Sequence, residues 1–314
     1  MKFLKSVMLI VLSLMLLSMA GCGSNNVTQQ SSNGNEIVIN DDSGRKVVLP
    51  GTPKRIVVLS ASFLEPLHLV GGNIVGRPTS QVAPDFAKDI EAVGKSIQID
   101  VEKVLSLNPD LVVIHQGVNE KLIKVLEDNG IPSIVLKSKT YEDVKRELEI
   151  FGQVTGEKEK AAEAISKMSK EITAIKDKLP KEEKRVAVLF SSSQNLNIQL
   201  SGSIAGSVVK DFGWKNVAEG LTPMEKNPDA TPYSMETMVE QNPEILFVVT
   251  MGNAKSQENN LLGEMKKNPA WNAINAVQNN KVYFLPQDLF LLSPGLKYPD
   301  CYREMAKKVY PDLF

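Results

Sequence analysis

Histidine and cysteine are nearly absent from this chain, with two of each in 314 residues. A zinc finger or a clustered His/Cys centre needs more ligands than that. A zinc or manganese receptor, which presents several imidazoles and carboxylates, is disfavoured on the same ground. No protein metal site is expected. A surplus of one charge is also missing: 36 Lys+Arg stand against 37 Asp+Glu, a formal charge of −1, with no basic block. That balance argues against nucleic acid as a partner. Aromatics at 6% exclude a wall of stacking rings. There is no Gly-x-Ser-x-Gly elbow, no His-Glu-x-x-His pair and no P-loop, and no paired carboxylates stand out for acid–base work. The expectation is a binding protein rather than an enzyme, with no cofactor. What remains, 42% hydrophobic and 23% charged residues, is ordinary globular composition, and the length suggests about two domains.

The one long apolar run is Val7 to Leu17. Lys2 and Lys5 precede it, and Ala20, Gly21 and Cys22 follow. It is too short to span a membrane and has the flanks of a secretory signal, so residues 1–21 read as a signal peptide. Small residues directly before Cys22 resemble the lipobox of bacterial lipoproteins, although Met19 stands where Leu is commoner. In that reading Cys22 carries the lipid anchor, each buried CH₂ contributing about 0.8 kcal/mol. The alternative is a plain signal with a chance cysteine. Cleavage removes Lys2 and Lys5 and no acid, taking the formal charge from −1 to −3. With Cys22 acylated, Cys301 is the only thiol left, and no internal disulfide is expected. Residues 22–35, rich in Ser, Asn, Gln and Gly, read as a flexible tether.

From residue 36 the chain reads as α/β. A hairpin is expected around Asp41-Asp42-Ser43-Gly44. Strand-like runs at Ile56–Leu59, Ile74–Val75, Leu111–Ile114 and Ser133–Leu136 alternate with helical patterns at 62–71, 84–91, 101–107, 118–129 and 141–155, as in a mostly parallel sheet. Ile165, Met168, Ile172, Ile175 and Leu179 then recur at helical spacing, ending at Pro180. About 23 residues at 1.5 Å make a rod of roughly 34 Å. A second series follows through Arg185–Phe190, Ile245–Thr250, Val282–Leu285 and a helix at Asp300–Val309. The expected domains are therefore an N-terminal lobe at 36–156, a linking helix at 157–180 and a C-terminal lobe at 181–314. The lobes also repeat each other. Val101-Glu102-Lys103-Val104-Leu105 with Asn108-Pro109-Asp110-Leu111 matches Met235-Glu236-Thr237-Met238-Val239 with Asn242-Pro243-Glu244-Ile245, at a constant offset of 134. Two related lobes on a rod imply a cleft, where ligands favour binding.

These segments resemble the substrate-binding proteins of bacterial ABC importers for iron complexes and cobalamin. The resemblance is carried by Pro53-Lys54-Arg55-Ile56-Val57-Val58-Leu59-Ser60, Ile74-Val75-Gly76-Arg77-Pro78-Thr79, Leu107-Asn108-Pro109-Asp110, Asn129-Gly130-Ile131-Pro132, Asn242-Pro243-Glu244-Ile245 and Ser293-Pro294-Gly295. It implies two Rossmann-like lobes bridged by one long helix, and capture of a ferric siderophore or haem for delivery to a permease and its ATPase. It further implies a monomer held by its lipid on the extracytoplasmic face of the cell membrane. One exposed Glu per lobe docks on the permease in that family; Glu102 and Glu236 occupy the matching positions. A cobalamin receptor, and a sensor without transport, are the alternatives.

Ligands of doubly wound lobes meet loops at the carboxyl ends of parallel strands. The candidates there are Ser62, Arg77, Thr79, Lys95 and His115 in the N-terminal lobe, and Ser192, Met251, Asp288 and Leu291 in the C-terminal lobe. Arg77 suits an anionic chelate, with a structural loop arginine as the equal alternative. His115 is either a hydrogen-bonding loop residue or, if the ligand is haem, an iron ligand. His68, inside an apolar helix pattern, is expected to be core or half-buried. Haem-binding relatives use a Met shortly after the equivalent of Val93-Gly94 and a His near Met251. Here Ile97 and Met251 stand in those places, so that pair is not reproduced. Trp214 and Trp271 fall in helical or peripheral segments, which speaks against a tryptophan-lined cobalamin cleft.

Overall fold

The computed structural model describes residues 36–80 and 83–314; the signal, anchor and tether expectations lie outside the described residues. Strands β1 (Ile37–Asn40) and β2 (Lys46–Leu49) form the antiparallel hairpin. Its turn is fixed by Asp41, whose buried carboxylate accepts from the N–H groups of Ser43, Arg45 and Val135 and from the Arg45 guanidinium. One side chain thereby replaces the missing backbone partners of a tight turn and ties it to the neighbouring sheet.

The first large sheet comprises β3 (Ile56–Val58), β4 (Ile74–Thr79), β5 (Glu91–Lys95), β6 (Gln98–Ile99), β7 (Leu111–His115) and β8 (Ser133–Leu136). Its order is β6-β5-β4-β3-β7-β8, parallel except for β6. Strands β3 and β8 are buried throughout, and β7 is buried up to His115; such unbroken apolar runs are what a sheet covered on both faces requires. The chain leaves β3 toward β4 and returns on the other side at β7, so the topological switch lies between β3 and β7. The second sheet holds β9 (Arg185–Ser191), β10 (Leu196–Gln199), β11 (Lys215–Asn216), β12 (Ala230–Pro232), β13 (Ile245–Thr250) and β14 (Val282–Leu285). Its order is β12-β10-β9-β13-β14, with β11 also on β9; β10 and β12 run antiparallel.

Two local expectations are corrected. Segment 84–91 is a single 3₁₀ turn, Asp85–Ala87, leading into β5. Its Phe86 stacks on His68 at 3.7 Å instead of joining a helical stripe, and His68 is exposed rather than core. After β9 the chain doubles back as β10, because Ser192 Oγ accepts from the N–H groups of Gln194 and Asn195 and closes the turn.

Between the sheets runs a 19-residue helix, Lys158–Lys176, about 28 Å long at 1.5 Å per residue. Gly156 at φ +84° turns the chain into it from the helix Tyr141–Thr155, a left-handed position that glycine adopts without Cβ strain. Ala161, Met168, Ile172 and Ile175 form its buried stripe. One apolar cluster runs from Ile39 and Leu49 through Phe63, Val113 and Phe151, across that stripe, to Val188, Phe247 and Tyr302. The outer face of each sheet closes over its own smaller cluster.

The internal repeat is visible in the backbone. Asp100 caps the helix Val101–Ser106 by accepting from Lys103 N–H, and Ser234 caps Met235–Gln241 by accepting from Thr237 N–H. Asn108 and Asn242 end the two helices with φ of +46° and +42°, and a proline then stops each one. Arg55 donates to the Leu107 carbonyl and Arg185 to the Gln241 carbonyl, so each C-terminus is covered by a cation at the start of a sheet strand of its own lobe, just before β3 in one and opening β9 in the other.

Candidate functional site: the cleft between the lobes

At the carboxyl ends of β3 and β7 lies a cavity of about 220 Å³. Its N-terminal wall is Leu59 to Ser62, Ser96, Ile97, His115, Val118, Ser138 and Lys139; its C-terminal wall is Ile204 and Leu291 to Ser293. The lining is chiefly hydroxyl and aliphatic. Ile97 is 78% exposed and Leu292 64% exposed, so a large apolar side chain from each lobe lies open to an apolar ligand body. The volume falls below the roughly 300–1,000 Å³ usual for ligand pockets.

Three contacts hold the lobes together beside the cavity, all made by one loop after β8. Ser138 Oγ bonds Ser293 Oγ at 2.8 Å. The Lys139 carbonyl accepts from Tyr298 Oη at 2.9 Å, and Lys139 Nζ pairs with Asp229. Ser138 also donates to Glu147 at 2.6 Å. Glu147 is buried, and desolvation, with Asp143 and Asp42 nearby, pushes its carboxyl up to about 8 against the bond from Ser138.

His115 closes the floor. Its Nδ1 lies 2.8 Å from the Gln116 carbonyl, so Nδ1 carries the hydrogen and Nε2 keeps its lone pair. Burial lowers its pKa, and the Lys139 charge adds to that; the neutral ring therefore presents an acceptor. Phe63 stacks beside it at 5.8 Å. Asn119 Nδ2 donates to the Ser96 carbonyl at 2.5 Å and so holds the loop that carries Ile97.

Of the expected ligand residues, the cavity brings together Ser62, His115 and Leu291. Arg77 faces elsewhere, its guanidinium bonded to the carbonyls of Ala87, Pro78 and Lys88. Thr79, Lys95, Met251 and Asp288 are exposed outside the lining, and Ser192 closes the β9–β10 turn. Trp214 and Trp271 are both buried in the C-terminal lobe, stacked on Phe247 and Tyr233. Sequence reasoning missed Ser138, Lys139, Asn119 and Asp229. Glu102 and Glu236 are exposed in the first turns of the two repeated helices, and neither forms an ion pair among the described residues.

Two α/β lobes on a helical strut, enclosing a cavity at their switch-point loops, define a two-lobe binding protein. The family model described as "Periplasmic binding protein" matches residues 56–289, and the chain belongs to that family. It is 29% identical to the Fe(3+)-citrate-binding protein YfmC of Bacillus subtilis, across 96% of this chain and 95% of the relative. Among solved structures, an ABC transporter substrate-binding protein from Listeria monocytogenes superimposes with a TM-score of 0.74 at 22% identity, covering 82% of this chain and 98% of that one. Staphylococcus aureus IsdE, solved with heme, superimposes at 0.71 and 21% identity with the same coverages. Family members bind iron chelates and work with the permease and ATPase of ABC importers.

Proposed function

We propose that this protein is a receptor lipid-anchored through Cys22, on the extracytoplasmic face of the membrane. It captures a ferric chelate between its lobes and releases it unaltered to an importer permease docked on Glu102 and Glu236. The observation that carries the reading is the cavity walled by both lobes at the β3–β7 switch point, where doubly wound folds bind ligands. The iron-citrate specificity named for YfmC supports the chelate class. Among the described residues no helix is long and apolar enough to cross a membrane. Exposed, unpaired Glu102 and Glu236 give one anionic point per lobe, as a two-point dock on a basic rim requires. A haem reading has one observation in its favour, the unprotonated Nε2 of His115 at the cavity floor.

The test is titration with ferric citrate, a ferric trihydroxamate, haemin and cobalamin, followed by tryptophan fluorescence and absorbance. Saturable quenching by a ferric chelate is expected. A Soret band that shifts in His115→Ala selects haem instead, and response to cobalamin alone rejects the iron reading. Glu102→Lys with Glu236→Lys should leave ligand affinity intact and abolish import; normal import by the pair removes the docking assignment.

A further inference from the structure

Lys139 is the one lysine or arginine in the cavity wall among the described residues, and its charge is already engaged. Its ammonium crosses the cleft to Asp229, whose side chain is 14% exposed against 39% for the lysine. The pair is thus shielded on the acid side and open on the lysine side. The acid is seated deliberately: a Cβ on Gly202 would lie 2.0 Å from Asp229 Oδ1, so the carboxylate occupies space that only glycine leaves. Leu200 N–H holds the Asp229 carbonyl at 2.8 Å. The Lys139 backbone is likewise anchored, through its carbonyl to Tyr298 Oη and through the preceding Ser138 to Glu147 and Ser293. Only its side chain has freedom to turn, and only Asp229 holds it. Because the cavity is small, a guest that parts the lobes draws this pair apart and leaves the ammonium facing the ligand.

We propose that Lys139 and Asp229 form a charge gate in the cleft. An entering anionic chelate takes the Lys139 ammonium from Asp229, so the site selects ligands of net negative charge and Asp229 limits how tightly they bind. The inference rests on the ferric-chelate reading and adds the charge of the ligand to it. A neutral guest opens the same pair without replacing its attraction.

The full chain in detergent is titrated with ferric citrate, which is anionic, and with a neutral ferric trihydroxamate. Asp229→Asn frees the lysine and should tighten ferric citrate about tenfold; Lys139→Gln should weaken it about tenfold, with a loss of salt dependence. The neutral trihydroxamate, which no longer has an ion pair to break, should tighten by about threefold in both variants. The double variant, lacking both charges, should match Lys139→Gln and shows whether either single change acts through folding. The gate is overturned if ferric citrate affinity stays constant in both single variants, or if Lys139→Gln shifts both probes in the same direction. Failure of the unaltered protein to bind ferric citrate, the trihydroxamate or haemin overturns the functional reading itself, an outcome distinct from binding without charge selection.

Discussion

The two lobes share a repeated unit, and they differ where the unit meets the ligand. At the offset of 134 residues Val113 corresponds to Phe247, and His115 to Val249. His115 is half-buried at the cavity floor, whereas Val249 is fully buried and the strand runs on to Thr250. In the N-terminal lobe both strands flanking the switch point end in cleft loops. In the C-terminal lobe β9 folds back as β10, and only the segments around Ile204 and Leu291–Ser293 reach the cavity. The same helix–Asn-Pro–strand unit thus opens onto the cavity in one lobe and is packed away in the other. The contrast extends to buried charge. Asp41 and Glu147 are buried acids on the N-terminal side, while the buried polar residues of the C-terminal lobe are uncharged.

The widest difference concerns Phe247 and Val113, which lie in one continuous cluster. Phe247→Ala removes a ring packed on Trp214 and Tyr283 and should cost about 3–5 kcal/mol. Val113→Ala loses less apolar volume and should cost about 2 kcal/mol. Because the core runs through the strut, both changes should lower one shared calorimetric transition. Two separate transitions, with Phe247→Ala moving only the later or the earlier one, would show that the lobes melt independently.

Buried charge sharpens the comparison next. Glu147 titrates near 4.5 when unfolded and near 8 in the fold. Between those values the folded protein holds a proton that the unfolded chain has lost. Its contribution is therefore complete below pH 4.5 and drains away as pH rises, by about 1.4 kcal/mol per unit, until about pH 8. Asp41 acts in the opposite direction. Burial raises its carboxyl, but the bonds from Arg45, Val135 and Ser43 prevail and lower it below 3.8, so its contribution is lost only in stronger acid. Glu147→Gln should flatten the fall in stability between pH 4.5 and 8 while keeping the Ser138 bond. Denaturant titrations that give parallel pH profiles for the variant and the unaltered chain would place the slope elsewhere.

Much of this architecture was legible in advance because burial writes itself into sequence locally. The apolar runs of β3, β7, β8 and β13 are continuous, the strut has its stripe, and both Asn-Pro stops are short motifs. The cleft was less legible for two reasons. Arg77 has the chemistry of an anion contact, but the carbonyls of Ala87 and Lys88 use its donors, and no local pattern announces such a long-range partner. Lys139 looks like any loop lysine, and Asp229, which gives it meaning, lies 90 residues away. One signal was present. The rule that selects the loop after β7 applies equally to the loop after β8, where Ser138 and Lys139 stand.

The finest distinction between the lobes lies in the two asparagines that end the repeated helices. Both sit at positive φ, where glycine fits without strain, so backbone conformation predicts equal tolerance of Asn→Gly. Their side chains differ. Asn108 Nδ2 bonds only the nearby Ser106 carbonyl, whereas Asn242 Oδ1 accepts from Asn275 N–H at 2.8 Å, 33 residues away. The added freedom of glycine in the unfolded chain is common to both sites and cancels in the comparison. Asn242→Gly should therefore cost about 1 kcal/mol more than Asn108→Gly in equilibrium unfolding. Equal costs would mean that the bond to Asn275 contributes nothing net, and that the repeat is as symmetric in energy as it is in backbone.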